Sequence, residues 1–181
     1  MSPPAAMGSS LSGSVRHTEA DVRFMQGMIA HHAQAVEMTA LVEGRSARRD
    51  VQLLARRISM SQAEEMELME NWLRAHGQDV PDGSDPQAHH GAHRGQHAHG
   101  ELMPGMLSEA ELAQLARLTG PEFDRLFLQY MIRHHEGALV MVADLFAAGG
   151  GQETEMFQFA SHVDGDQRIE IARMHRLLSA M

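Results

Sequence analysis

The chain carries an internal copy of one of its own segments, and that copy limits the folds open to it. Residues 24–38 read FMQGMIAHHAQAVEM, and residues 127–141 read FLQYMIRHHEGALVM. At an offset of 103, Asp21, Phe24, Gln26, Met28, Ile29, His31, His32, Ala35, Met38 and Ala40 coincide with Asp124, Phe127, Gln129, Met131, Ile132, His134, His135, Ala138, Met141 and Ala143. The shared pattern is D-x-x-F-x-x-x-M-I-x-H-H-x-x-A-x-x-M. Each copy is too short to bury an amphipathic face alone, so the two are expected to pack on each other.

The spacing inside each copy predicts helices. Phe24, Met28, His31, Ala35, Met38 and Val42 recur at steps of 4-3-4-3-4, one seam of a packed helix. That helix is expected from about Glu19 to Glu43, with Thr18 as N-cap and Gly44 closing it. A second helix is expected after Ser46, to about His76. Its seam is Val51, Leu54, Ile58, Gln62, Glu65, Met69 and Trp72, with two polar residues in the middle. Ser108-x-x-Glu111 is a capping box opening a short helix to about Leu118. Thr119-Gly120-Pro121 restarts a helix to about Ala148, with the seam Phe127, Met131, His134, Ala138, Met141 and Leu145. A last helix runs from about Glu153 to Ser179. Its Ala160, Val163, Gln167, Glu170, Met174 and Leu178 match Ala55, Ile58, Gln62, Glu65, Met69 and Leu73 at an offset of 105.

The repeat unit is therefore a helical hairpin. Two hairpins and one long connection predict an all-α, ferritin-like four-helix bundle. The crossover would hold a His-rich loop and the short helix. This places a flexible tail at 1–17 and a single domain at 18–181, with hairpins at about 18–76 and 119–180 and a linker at 77–118.

Composition removes several function classes. Net charge is −9 without a basic run, so a phosphate backbone would be repelled and nucleic acid is not an expected partner. Cysteine is absent, which excludes disulfides, thiolate metal sites and a cysteine nucleophile. All 15 cationic residues are arginine, which excludes Schiff-base chemistry on a side-chain amine. No serine sits in a nucleophile elbow and no phosphate loop is present, so no catalytic residue is assigned. No apolar run is long enough to span a membrane. Residues 1–15 lack the charged start and apolar core of a signal peptide, so export would imply a leader outside this sequence.

What stands out is 15 Met and 13 His against one Trp and one Tyr. On a helix, Met28 neighbours both His31 and His32, and Gln62, Glu65 and Met69 share a face. The second hairpin repeats this with Met131, His134, His135, Gln167, Glu170 and Met174. A central His/Glu layer flanked by Met is expected. Without metal, it would be a hydrogen-bonded layer in which His31 and His134 each pair with Glu65 or Glu170. With metal, softness matters. A di-iron carboxylate site needs Glu-x-x-His on two helices. None of the 13 histidines has a Glu three residues earlier; before His31 and His134 stand Met28 and Met131. Sulfur in place of oxygen favours copper, above all Cu(I), over iron or manganese. Zinc could use His and Glu but gains little from Met.

A second candidate is the loop QAHHGAHRGQHAHG, with His89, His90, His93, His97 and His99 among glycine spacers, a composition suited to Cu(II), Zn(II) or Ni(II). Met103-Pro104-Gly105-Met106 follows. Met103 and Met106 would either add thioethers or plug the end of the bundle.

The doubled Met-Ile-x-His-His motif, MPGM before the second copy, and FDRLFLQYMIRHHEGAL resemble the bacterial domain-of-unknown-function family 305 over about residues 18–180. The resemblance implies a ferritin-like bundle, export to the periplasm or beyond the cell, and copper binding linked to copper resistance. By motif it implies Met28, His31, His32, Met38, Met131, His134, His135 and Met141, with Met103 and Met106, as ligand candidates. Three readings stand side by side: a copper sequestration or delivery protein, a metal-dependent oxidase, and a structural bundle with a His/Glu core layer. Silver or zinc would bind in vitro under the first. A homo-oligomer or a copper-transfer partner is compatible with it. Ligation needs neutral imidazole, so uptake should weaken as pH falls below about 6.

Overall fold

Helix starts are written locally. Thr18 Oγ1 accepts from the Asp21 N–H at 3.1 Å, and Asp21 Oδ2 accepts from the Thr18 N–H at 2.7 Å. Ser108 and Glu111 make the same reciprocal box at 3.3 and 2.8 Å. Each satisfies donors that the first helical turn leaves free. The computed structural model describes residues 17–81 and 102–181, and among them it has five helices and no strand. These are α1 (Glu19–Ala40), α2 (Arg49–Ala75), α3 (Glu109–Arg117), α4 (Gly120–Ala147) and α5 (Thr154–Ser179). None is long and apolar enough to cross a membrane. The expected tail up to residue 16 and the loop bearing His89, His90, His93, His97 and His99 lie outside the described residues.

α1 stops three residues before the expected Glu43. The N–H groups of Leu41 and Val42 bond to the carbonyls of Met38 and Thr39, three residues back, at 3.2 and 3.1 Å. That tighter pattern ends the α-helix before Gly44, whose φ of 75° then turns the chain.

The hairpins α1–α2 and α4–α5 meet mainly through α1 and α4, while α2 and α5 touch only briefly. α1 and α4 run antiparallel. At one end Asp21 Oδ1 accepts from the Gly151 N–H at 2.7 Å; at the other the Gly120 N–H donates to the Arg45 carbonyl at 2.7 Å. The predicted seams are buried, except that Met141 and Leu178 are half-buried. Their apolar members form two clusters. One gathers Met38, Leu54, Phe127, Met131 and Met174; the other gathers Phe24, Met28, Met69, Val163 and Leu145. Between the two, on all four long helices, lies a buried polar layer of His31, His32, Gln62, Glu65, His134, His135, Gln167 and Glu170.

Candidate metal centre

Each pair of consecutive histidines divides its work. His32 Nε2–H donates to Glu65 Oε2 at 2.5 Å, and His135 Nε2–H donates to Glu170 Oε2 at 2.7 Å. The hydrogen-bonded layer was expected to run through His31 and His134; the structure puts the next residue on each carboxylate. Successive helical residues point about 100° apart. That rotation turns His32 and His135 toward the partner helix of their own hairpin. His31 and His134 turn toward each other across the α1–α4 interface. Their rings lie 3.8 Å apart, centroid to centroid, tilted by 35°. All four rings are fully buried.

The two facing histidines are not equivalent, because the crossover docks on one of them. His31 Nε2 lies 2.9 Å from the Pro104 carbonyl. A carbonyl only accepts, so Nε2 carries the proton and Nδ1 keeps the lone pair. The Met103–Met106 turn reaches this depth because two glycines meet there. Gly105 has φ of 76°, and a Cβ on Gly137 would run into the Pro104 carbonyl. Gln34 then clamps the strap, accepting from the Leu107 N–H at 2.7 Å and donating to the Leu107 carbonyl at 2.9 Å. Gln34 and Gly137 occupy the same position of the repeat. One copy supplies the clamp and the other supplies the space. Met103 therefore comes within reach of the central layer, and Met106, on the same turn, is buried. Met103 Sδ and the Met141 methyl lie 3.5 and 3.4 Å from the Cβ position that Gly27 lacks, one helical turn from His31.

His134 has no hydrogen-bond partner for either ring nitrogen. The layer as a whole is short of partners: among the described residues it holds nine of the thirteen buried side-chain polar atoms that lack one. These include Nδ1 of His31, His32, His134 and His135, Glu65 Oε1 and both polar atoms of Gln62. In the neutral ring of His31, Nδ1 is a lone pair while Nε2–H is held by the Pro104 carbonyl, and His32 and His135 likewise turn Nε2–H to a carboxylate. That is the arrangement that orients metal-binding imidazoles in general.

Burial also sets the charge. Desolvation lowers the His31 pKa to about 3 against the weaker opposing pull of the Pro104 carbonyl, and the charges of His32 and His135 lower it further. Desolvation likewise pushes His134 well below 6.5, helped by His31, His135 and His32 and only weakly opposed by the backbone of His31, with which the ring makes no hydrogen bond of proper geometry. Both rings stay neutral well into acid. The pH 6 threshold expected for ligation belongs to exposed imidazole and shifts downward here. Linkage gives the sign. The unfolded chain binds protons below pH 6.5 while folded His31 stays neutral to about 3, so stability is complete above 6.5 and falls as pH drops toward 3. His31 should cost about 2 kcal/mol between pH 6.5 and 5, and His134 acts in the same direction. Urea unfolding of metal-free protein at pH 7 and pH 5 checks this. The loss should shrink by about 2 kcal/mol in a His31→Leu variant and further in a His31→Leu, His134→Leu double variant.

Among the described residues, no three of the layer's histidines and carboxylates bring ligand atoms within 4.8 Å of one another. An ion held by His31 or His134 would complete its shell with thioether sulfur. Met28, Met38 and Met131 are fully buried, Met106 is buried, and Met103 and Met141 are half-buried. The group that does converge within 4.8 Å is Glu65, His162 and Asp166, on α2 and α5. Sequence reasoning passed over His162 and Asp166. Their i, i+4 spacing was visible, but only the crossing of α2 and α5 brings Glu65 to them.

No curated protein shows a significant sequence match. Solved structures do match. A DUF305 fragment from Deinococcus radiodurans superposes with a TM-score of 0.75 at 34% identity, covering 92% of this chain and 99% of that one. A DUF305 protein from Streptomyces coelicolor, assigned as secreted, gives a TM-score of 0.73 at 29% identity, over 89% and 93%. CopM in its Cu(II)-bound form gives 0.69 at 27%, over 88% and 96%. CopM has also been solved with Cu(I) and with silver. The model of the family described as "Domain of unknown function (DUF305)" matches residues 21–178, so it takes in both hairpins and the strap between them, and this chain belongs to that family.

Proposed function

We propose that this protein binds copper, holding Cu(I) in the Met/His layer, and serves copper sequestration or delivery in copper tolerance outside the cytoplasm. One observation carries the reading. His134 is fully buried and held neutral, neither nitrogen has a partner, and it faces His31 between methionine-rich clusters. A buried polar group without a partner is costly, and a soft cation offers one. Imidazole and thioether together suit Cu(I) and Ag(I) better than hard ions. The ligand set is drawn from His31 and His134 with Met28, Met38, Met131, Met141, Met103 and Met106. His32 and His135, backed by Glu65 and Glu170, would lend their Nδ1 atoms. His89, His90, His93, His97 and His99 would form a separate capture site for Cu(II). The metals in the CopM structures and the secreted assignment of the Streptomyces relative support the same direction.

The test is a titration of metal-free protein with Cu(I) and Ag(I) under reducing conditions, counted by native mass spectrometry, with and without residues 87–100. Uptake of at least one Ag(I) should survive removal of the loop. If all uptake vanishes with it, the buried layer is structural only.

A further inference from the structure

We propose that Glu65, His162 and Asp166 form a separate site for a borderline divalent cation, Zn(II) or Cu(II), at the crossing of α2 and α5. The three residues each bring a ligand atom within 4.8 Å of the others. His162 Nε2 and Asp166 Oδ2 are already 3.4 Å apart. Bonds of about 2.1 Å in tetrahedral geometry need ligand separations of about 3.4 Å, so closing the site asks for side-chain adjustment alone. Two carboxylates and one imidazole are a harder donor set than the thioethers of the central layer and discriminate against Cu(I). The site thus differs in donor chemistry from the central layer, which it adjoins through the His32–Glu65 pair.

Glu65 marks this group as more than a surface ion pair. It is 3% exposed, and its Oε1 has no hydrogen-bond partner. Its other oxygen is held by His32 Nε2 at 2.5 Å. The carboxylate is therefore oriented from behind by a buried imidazole, as metal-binding carboxylates are. His162 and Asp166 are largely or partly exposed, with side-chain exposures of 60% and 36%, which leaves room for water as an outer ligand.

The repeat supplies an internal control. At the offset of 105, Glu65 corresponds to Glu170, while His162 and Asp166 correspond to Arg57 and Ser61. The twin hairpin thus offers a cation and a hydroxyl where this one offers two ligands. Among the described residues only one such site forms, and the ion would tie α2 to α5, where the two hairpins touch only briefly.

The test uses the full chain and Zn(II) alone, with His162→Ala as the variant, since an exposed residue is removed without touching the core. Native mass spectrometry should count one Zn(II) fewer per chain in the variant at micromolar metal, and the rise in melting temperature on adding Zn(II) should be smaller. The His-rich loop contributes equally to both proteins and cancels. Ag(I) uptake, measured alongside, should be the same in both. An unchanged Zn(II) count overturns the site, whereas loss of Ag(I) binding on substituting His134 concerns the central layer alone.

Discussion

Replacing His134 by leucine should weaken Ag(I) and Cu(I) binding by about 100-fold or more and leave stability within about 1 kcal/mol of the parent. The two expectations have one cause. His134 is fully buried and its nitrogens make no well-formed hydrogen bond among the described residues. Its removal therefore breaks no hydrogen bond, and leucine of similar size refills the space. An apolar group in place of an unpartnered polar one is near neutral or stabilising. If the ring is a ligand, the whole loss appears in metal affinity. His31→Leu separates the two histidines, because it also releases the Pro104 carbonyl and so should cost both affinity and about 1 kcal/mol of stability. Competition titration against a chromophoric Cu(I) chelator gives the affinities, and urea unfolding gives the stabilities. Unchanged Cu(I) affinity in His134→Leu would remove this ring from the site.

The reverse profile is expected at His32, the residue after His31, which is the repeat twin of His134. His32→Ala should destabilise the protein by about 3–5 kcal/mol. It strips the 2.5 Å partner from Glu65, a carboxylate only 3% exposed whose other oxygen is already unpartnered. Breaking one half of a buried pair leaves a desolvated charge behind, and that penalty exceeds the worth of the pair itself. A chain of this size should lose about 10 °C of melting temperature. The double variant His32→Leu, Glu65→Leu removes both partners at once and should recover most of that loss. Thermal unfolding of metal-free protein decides it. A cost below about 1 kcal/mol for His32→Ala would mean that the pair does not hold the layer in register.

Particular residues show how far the chain could be read in advance. The seams of all four long helices follow from period alone, and all their predicted members but Met141 and Leu178 are buried, including Gln62, Glu65, Gln167 and Glu170. Thr18 and Ser108 start their helices where capping chemistry says they should. The end of α1 escaped, since its last turn tightens through bonds to carbonyls three residues back that leave no residue signature. The roles within each His-His pair also escaped. Two neighbours that both lie close to a seam differ by one rotation step, and only the positions of the other helices decide what each one meets.

What the sequence by itself determined is the repeat, the helices and a buried layer of His, Gln and Glu between methionine-bearing apolar turns. These depend on spacing within single helices, where one residue's place settles its neighbour's. The tertiary structure alone decided which imidazole met a carboxylate, which met a peptide carbonyl and which met nothing. It brought the turn that carries Met103 to the layer through the contact of Gly105 with Gly137, and it brought Glu65 to His162 and Asp166. Each of these joins residues more than 30 positions apart, and their distances depend on how one helix crosses another, which no periodicity within a single helix encodes.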